Sequence, residues 1–232
     1  MRKRRLPVLL PPGSPPLFPD PELADDEGLI AVGGDLSSER VLAAYEQGIF
    51  PWPAEGLPLL WWSPNPRAVF DPESLRVSRS MRRVLKSGHF RVTFDQAFEQ
   101  VIVECGRERE EGTWITPAMV EAYVGLHRQG FAHSFEVWSD RGLAGGLYGV
   151  QRGGLFAAES MFHRETNASK VALIAAVQNL FRAGIGLFDV QFLTEHLASL
   201  GGYTIERREY LRRLEAVREM SLDLGGLEPI FE

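Results

Sequence analysis

Past residue 66 the apolar positions of this chain fall into regular periods; before it they do not. Residues 1–66 are rich in Pro and Gly and hold one clear helix. Asp35 or Ser37 can cap it, Val41, Leu42 and Tyr45 give it a partial apolar face, and Gly48 ends it. Ser63-Pro64-Asn65-Pro66 reads as a junction, which divides the chain into a small N-terminal domain, 1–66, and a larger domain, 67–232. Beyond the junction, Ser78 to Lys86 reads as a short basic helix and Phe90 to Phe94 alternates as a strand. Gln96 to Cys105 has helical spacing, with Phe98, Val101 and Ile102 on one face. Thr116-Pro117 is a cap followed by proline at the first helical position, opening a helix that runs to Gly130.

Three strand-like runs follow, His133 to Trp138, Leu143 to Val150 and Leu155 to Phe162. Asp140-Arg141-Gly142 and Arg152-Gly153-Gly154 supply the turns of an antiparallel meander. A long apolar helix from Ala168 to Ala183, a strand from Leu187 to Gln191, a helix from Thr194 to Leu200 and a charged helix from Arg208 to Glu219 complete the chain. This order predicts an α+β protein. Its C-terminal domain resembles the N-acyltransferase (GNAT-like) fold, and a small irregular α/β domain precedes it. Fold order alone does not give function. The acetyl-CoA version of the fold also needs a glycine-rich loop whose N–H groups hold pyrophosphate. Here the segment Phe162 to Ser169 contains no glycine, so the sheet fits an acyltransferase while the CoA cradle is missing.

Composition narrows the setting. The chain has 232 residues, 44% of them apolar, enough for a real core. One cysteine, Cys105, excludes an internal disulfide and fits a reducing compartment. No apolar run approaches a membrane span. The basic start, Met1 to Arg5, leads into an apolar stretch too short for an export signal, so a cytoplasmic protein with a loosely ordered start is expected. Net charge is −6, which argues mildly against nucleic acid. Its distribution argues the other way. From Ser74 to Arg91 there is no acidic residue, whereas Arg76, Arg79, Arg82, Arg83, Lys86 and Arg91 are basic. Such an island is either a solvated face or a track for phosphates.

Three of the five tryptophans, Trp52, Trp61 and Trp62, lie in the proline-laced stretch 48–67. The prolines bar a regular helix or central strand there. The rings therefore either fill an interface or offer flat faces to a base, where stacking is worth about 1–3 kcal/mol.

Polar groups at the later strands carry the candidate chemistry. Strand alternation places Ala157, Glu159 and Met161 on one face and Ala158, Ser160 and Phe162 on the other. Glu159 either points to solvent from an edge or meets a substrate ammonium. Asp189 and Gln191 project together from one strand face, with Phe188, Val190 and Phe192 on the other. They are either a structural hydrogen-bonded pair or a binding site. His196 and Ser199 lack the glycines of a nucleophile elbow. The five histidines show no metal-ligand spacing with one another or with Cys105, which reads as core.

Several segments together resemble leucyl/phenylalanyl-tRNA–protein transferases. They are Gly33-Gly34-Asp35-Leu36, Gly48-Ile49-Phe50-Pro51-Trp52, Trp61-Trp62-Ser63-Pro64, Glu111-Gly112-Thr113-Trp114-Ile115-Thr116, Glu159-Ser160-Met161-Phe162, Asn167-Ala168-Ser169-Lys170 and Asp189-x-Gln191…His196…Ser199-Leu200-Gly201. The resemblance runs from about residue 18 to about 213. It departs from one well-known member of the family at Leu147, where that member has Met, and at Thr194-Glu195, where it has Asn-Asp. The resemblance implies transfer of Leu, Phe or Met from aminoacyl-tRNA to the α-amine of proteins beginning with Arg or Lys, marking them for degradation. It implies no cofactor, no metal and a monomer. It points to Asp189 and Gln191 as catalytic, and sets the terminal adenosine against Trp52 and Trp114. The aminoacyl side chain goes into an apolar pocket of Leu147, Phe156, Met161, Leu173 and Phe188. Glu159 faces an ammonium, with the aminoacyl group's own amine as first choice. Arg76, Arg79, Arg82, Arg83 and Lys86 track the tRNA backbone. Two rivals stay open at this point, a CoA-dependent N-acetyltransferase and a non-catalytic RNA-binding module.

Overall fold

Prolines break the first part of the chain into short strands without abolishing them. In a computed structural model, which describes residues 6–53, 56–107 and 113–231, a four-stranded sheet forms there. Its strands are β1 (Val8–Leu10), β2 (Leu29–Gly33), β3 (Phe50–Pro51) and β4 (Leu60–Trp62), in the order β1-β2-β4-β3. Pro51 lies on the edge strand β3, where a missing N–H costs no ladder bond. The expected helix is α1 (Ser38–Tyr45). Ser37 precedes it without a side-chain cap bond, and its N–H goes to Asp35 Oδ1 instead. The basic start at residues 1–5 and the motif residues Glu111 and Gly112 lie outside the described residues.

The rest of the chain builds a seven-stranded sheet. Its elements are β5 (Arg67–Phe70), α2 (Arg79–Lys86), β6 (Arg91–Phe94), α3 (Phe98–Cys105), α4 (Pro117–Arg128), β7 (Ala132–Ser139), β8 (Gly142–Arg152) and β9 (Leu155–His163). α5 (Ala168–Arg182), β10 (Leu187–Gln191), α6 (Glu195–Ser199), β11 (Tyr203–Ile205) and α7 (Arg207–Val217) follow. The order is β11-β5-β10-β9-β8-β7-β6, with β9 and β10 parallel and joined through α5. This α+β architecture has the meander, long helix and following strand that the element order predicts. Ser78 and Thr116 cap α2 and α4 through their side chains, and Pro117 opens α4.

Alternation along the strands sorts the core into two layers. Val69, Tyr148, Ala157 and Leu187 face a layer shared with α1, α3, α4, α7 and the N-terminal sheet. Ala68, Leu147, Phe156 and Phe188 face α2 and α5. Trp61 is fully buried within the N-terminal sheet, edge-on to Phe18 and donating to the Gly33 carbonyl. Cys105 is buried on the inner face of α3.

Two irregularities sit where β9 and β10 part. In β9, Tyr148 pairs with Ser160 and Gly149 with Ala158, so Glu159 is the extra residue of a bulge. The bulge reverses the expected alternation. Phe162 joins Ala157 in the first layer, and Met161 packs with Ala158 in the second. In β10 the register against β5 slips between Asp189 and Gln191, and Gln191 has φ +55°. That turn sends Phe192 to the first layer, away from Phe188 and Val190 and against the expectation from simple alternation.

Candidate active site

β9 and β10 pair only as far as Ala157 and Asp189. Beyond that point β9 continues to His163 while β10 ends at Gln191, which leaves a split in the sheet beside Glu159, Met161 and Gln191. Parting parallel strands leave backbone groups that a ligand can use.

Asp189 is 0% exposed, and its hydrogen bonds are already committed. Arg67 Nε and Nη2 donate to its two oxygens at 2.9 and 2.6 Å. Tyr210 Oη donates to Oδ2 at 3.0 Å, and the Gln191 backbone N–H donates to Oδ1 at 2.9 Å. Burial opposes the Arg67 charge, but the adjoining Asp189 carboxylate prevails and raises its proton affinity. A carboxylate held this way by a guanidinium, a phenol and an amide is a fixed anchor.

Glu159 is the opposite case. It lies deep in the fold yet half-open to the split, and no cation pairs with it among the described residues. Tyr123 Oη donates to it at 3.4 Å, Tyr45 and Tyr123 share a 2.8 Å hydrogen bond, and the Tyr148 hydroxyl is enclosed close by with no hydrogen-bond partner among the described residues. Burial pushes the Glu159 carboxyl up to about 8, with the negative Asp189 adding to the rise. The Tyr45 and Tyr123 hydroxyls and the Arg67 charge hold it back from rising further.

The Gln191 amide fits one orientation better than the other. With Nε2 toward Glu159 it donates once, at 3.3 Å, and its own oxygen abuts backbone carbonyls. Turned over, Nε2 donates to the Ala158 and Val190 carbonyls at 2.9 and 3.1 Å. Oε1 then faces Glu159, whose proton at neutral pH completes a hydrogen bond. We adopt this second orientation.

Trp52 and Trp114 meet beside the split, their ring centres 6.4 Å apart at 68°. Trp52 is 38% exposed and packs on Phe192, 4.8 Å away, the residue next to Gln191. The two indoles form a corner where a flat base can stack on one face with the other at its edge. Trp62 closes the back of this corner and donates to the Trp52 carbonyl. Alternation hid the role of Phe192, because the positive φ at Gln191 has no signature in the apolar pattern.

Of the pocket residues, Leu147, Phe156, Leu173 and Phe188 are sealed in the second layer, with the Phe156 and Phe188 rings 5.5 Å apart. Met161 stands partly buried at their edge and borders a cavity of about 490 Å³ with His163, Ser169 and His196. Ser199 Oγ donates to the His196 carbonyl, so the two form no hydrolytic dyad. Arg76, Arg79, Arg82, Arg83, Lys86 and Arg91 are all exposed, and none forms an ion pair among the described residues. Arg82 and Lys86 also border a cavity of about 900 Å³, which lies on the α5 side of the sheet and includes neither Glu159 nor the tryptophans.

Comparison with known proteins is specific. Residues 69–215 match the model of the leucyl/phenylalanyl-tRNA protein transferase family, and residues 34–65 match the model of that family's N-terminal domain. A leucyl/phenylalanyl-tRNA–protein transferase of Anaeromyxobacter sp. strain Fw109-5 is 56% identical over 200 residues, covering 85% of each chain. One from Escherichia coli O1:K1 / APEC is 55% identical over 203 residues, covering 87% of each. Likeness to solved structures is remote. L-PGS from Bacillus licheniformis gives a TM-score of 0.41 at 13% identity, over 81% of this chain and 64% of that one. Among the described residues no helix is long and apolar enough to cross a membrane.

Proposed function

This chain belongs to the leucyl/phenylalanyl-tRNA–protein transferase family, and from that premise we propose that it moves Leu, Phe or Met from tRNA to the N-terminal α-amine of proteins beginning with Arg or Lys. The product N-terminus marks the protein for degradation in the cytoplasm. The enzyme works as a monomer. The observation that supports this reading best is the juxtaposition at the split, where an indole corner for a base adjoins a deep carboxylate for an ammonium.

The terminal adenosine stacks in the corner of Trp52 and Trp114. The aminoacyl side chain passes Met161 into the split toward Leu147, Phe156, Leu173 and Phe188. Such a pocket discriminates by shape, at about 1–3 kcal/mol per methylene. Glu159 gives up its proton to solvent as it receives the aminoacyl ammonium, whose charge favours the carboxylate form, and this frees Gln191 Oε1. Gln191 Oε1, with its amide held by two backbone carbonyls, accepts from the acceptor's amine.

Little else is needed. An aminoacyl ester is activated, and an α-amine with pKa near ~7.7–8.0 is partly neutral at cellular pH. Its nitrogen forms a bond to the ester carbon, the bond to the ribose oxygen breaks, and that oxygen leaves with the proton the amine releases. Alignment of amine and ester is worth about 7–11 kcal/mol. Asp189 orients Gln191 and does not serve as the base, because Arg67, Tyr210 and Gln191 occupy its oxygens.

The test is labelled Phe-tRNA offered to a peptide starting with Lys and to the same peptide starting with Asp. Transfer to the first alone is expected. Transfer to neither, or equally to both, contradicts the reading. A CoA-dependent enzyme would instead turn over acetyl-CoA.

The exposed face of α2 carries the tRNA backbone. Reversing the charges of Arg79, Arg82 and Arg83 is expected to weaken tRNA binding. It should also flatten the salt dependence, by roughly 0.7–0.9 in log–log slope for each phosphate that is no longer neutralised. Filter binding across a salt series reads both effects. An unchanged affinity removes α2 from the interface.

A further inference from the structure

We propose that Arg67 is a positioning residue for the transfer reaction, its one guanidinium fixing the Trp52-bearing segment and Gln191 in a single relation to each other. This rests on the function proposed above. The Arg67 side chain is 1% exposed and has partners on two sides. Toward the N-terminal sheet, Nη1 donates to the Gly48 carbonyl at 3.0 Å. Gly48 turns the chain out of α1 with φ +73°, and a Cβ there would lie 2.8 Å from the Tyr210 ring. Four residues later the same segment presents Trp52. Toward β10, Nε and Nη2 grip both oxygens of Asp189, whose Oδ1 in turn takes the Gln191 N–H. Gln191 is left-handed at φ +55°, a conformation that L-residues other than glycine resist. The guanidinium carbon lies over the rings of both Phe50 and Tyr210, 4.7 and 4.5 Å from their centres.

Stability alone does not call for this arrangement, because well-packed apolar residues generally replace a buried ion pair without loss. A planar fork supplies something an apolar pair cannot. It fixes the angle between a carboxylate and a carbonyl contributed by two different parts of the chain. Lysine offers one point charge and cannot reproduce that angle.

The experiment measures single-turnover transfer of Phe from Phe-tRNA to a Lys-starting peptide, with tRNA affinity measured separately, for wild type, Arg67→Lys and Arg67→Ala. Both variants are expected to keep tRNA affinity and to lose about 100-fold in the rate at saturating substrate, the effect of misplacing a reacting group by an ångström. Guanidinium ion, compared with sodium at equal ionic strength, is expected to restore at least about tenfold of the Arg67→Ala loss by re-forming the charge-assisted hydrogen bonds. Should near-UV circular dichroism show that Arg67→Ala is unfolded, Tyr210→Phe takes its place. It keeps the ring, removes the hydroxyl that braces Asp189, and is expected to lose about tenfold in rate. A folded variant with wild-type rate, a loss confined to tRNA affinity, or a loss that guanidinium leaves untouched each overturns the assignment. Absence of transfer by wild type in the same assay counts against the proposed function instead.

Discussion

Asp189→Asn is expected to lose about 3–5 kcal/mol of stability while keeping measurable transfer activity, because it strands a buried guanidinium. Asparagine retains one oxygen, which can still accept the Gln191 N–H and keep the left-handed turn braced, while its amide nitrogen replaces the oxygen that accepts from Tyr210. It has no charge to offer Arg67, whose side chain is shut off from water. In a chain of this size the loss corresponds to a fall in Tm of about 6–20 °C. Calorimetry reads the stability, and single-turnover transfer below the new Tm reads the chemistry. A folded Asp189→Asn protein that binds tRNA fully yet transfers nothing would mean that Asp189 is an obligate base, and the anchoring role would fall.

Glu159→Gln is expected to move stability and activity in opposite directions. The folded carboxyl titrates at about 8 against an ordinary 4.5, so between those values the folded state holds a proton that the unfolded chain has released. Stability therefore falls as pH rises through this window, by up to about 1.4 kcal/mol per unit, and levels off above it. Glutamine resembles the protonated form and does not titrate. The Tm advantage of Glu159→Gln should be absent below pH 4.5, grow between 4.5 and 8, and stay constant above. Transfer should fall about 10- to 100-fold, the worth of one charge-assisted hydrogen bond to the substrate ammonium at about 1.5–3 kcal/mol. A variant with wild-type transfer, or one whose Tm difference ignores pH, removes Glu159 from this role. The gain and the loss share one cause, since a deep carboxylate without a cation is a cost to the fold that only the substrate relieves.

The sequence makes some of this legible and hides the rest. The meander, the long helix and the following strand show in apolar periods, because each presents one face to a thick core. The cap at Thr116-Pro117 is equally plain. The short strands β1, β2, β4 and β5 escape notice, since three to five residues carry too little pattern, and prolines flank β1, β4 and β5 as well. At the site, the chemistry-bearing residues Trp52, Trp114, Glu159, Asp189 and Gln191 stand out by type and by family resemblance. Their arrangement does not. A bulge at Glu159 and a left-handed Gln191 are single-residue events that reverse the expected faces of Met161, Phe162 and Phe192. Arg67 reads in the sequence as an ordinary arginine after a proline. Only the pairing of β5 with β10 brings it to Asp189, across more than a hundred residues of chain.

The most direct test of the central claim is to find where the amino acid goes. Labelled Phe-tRNA is incubated with the protein and a Lys-starting peptide, and the product is sequenced by fragmentation mass spectrometry. One phenylalanine joined to the α-amine, with an equal amount of free tRNA released, is the result this account predicts. Label that stays on the tRNA, or that appears on the lysine ε-amine, would contradict it.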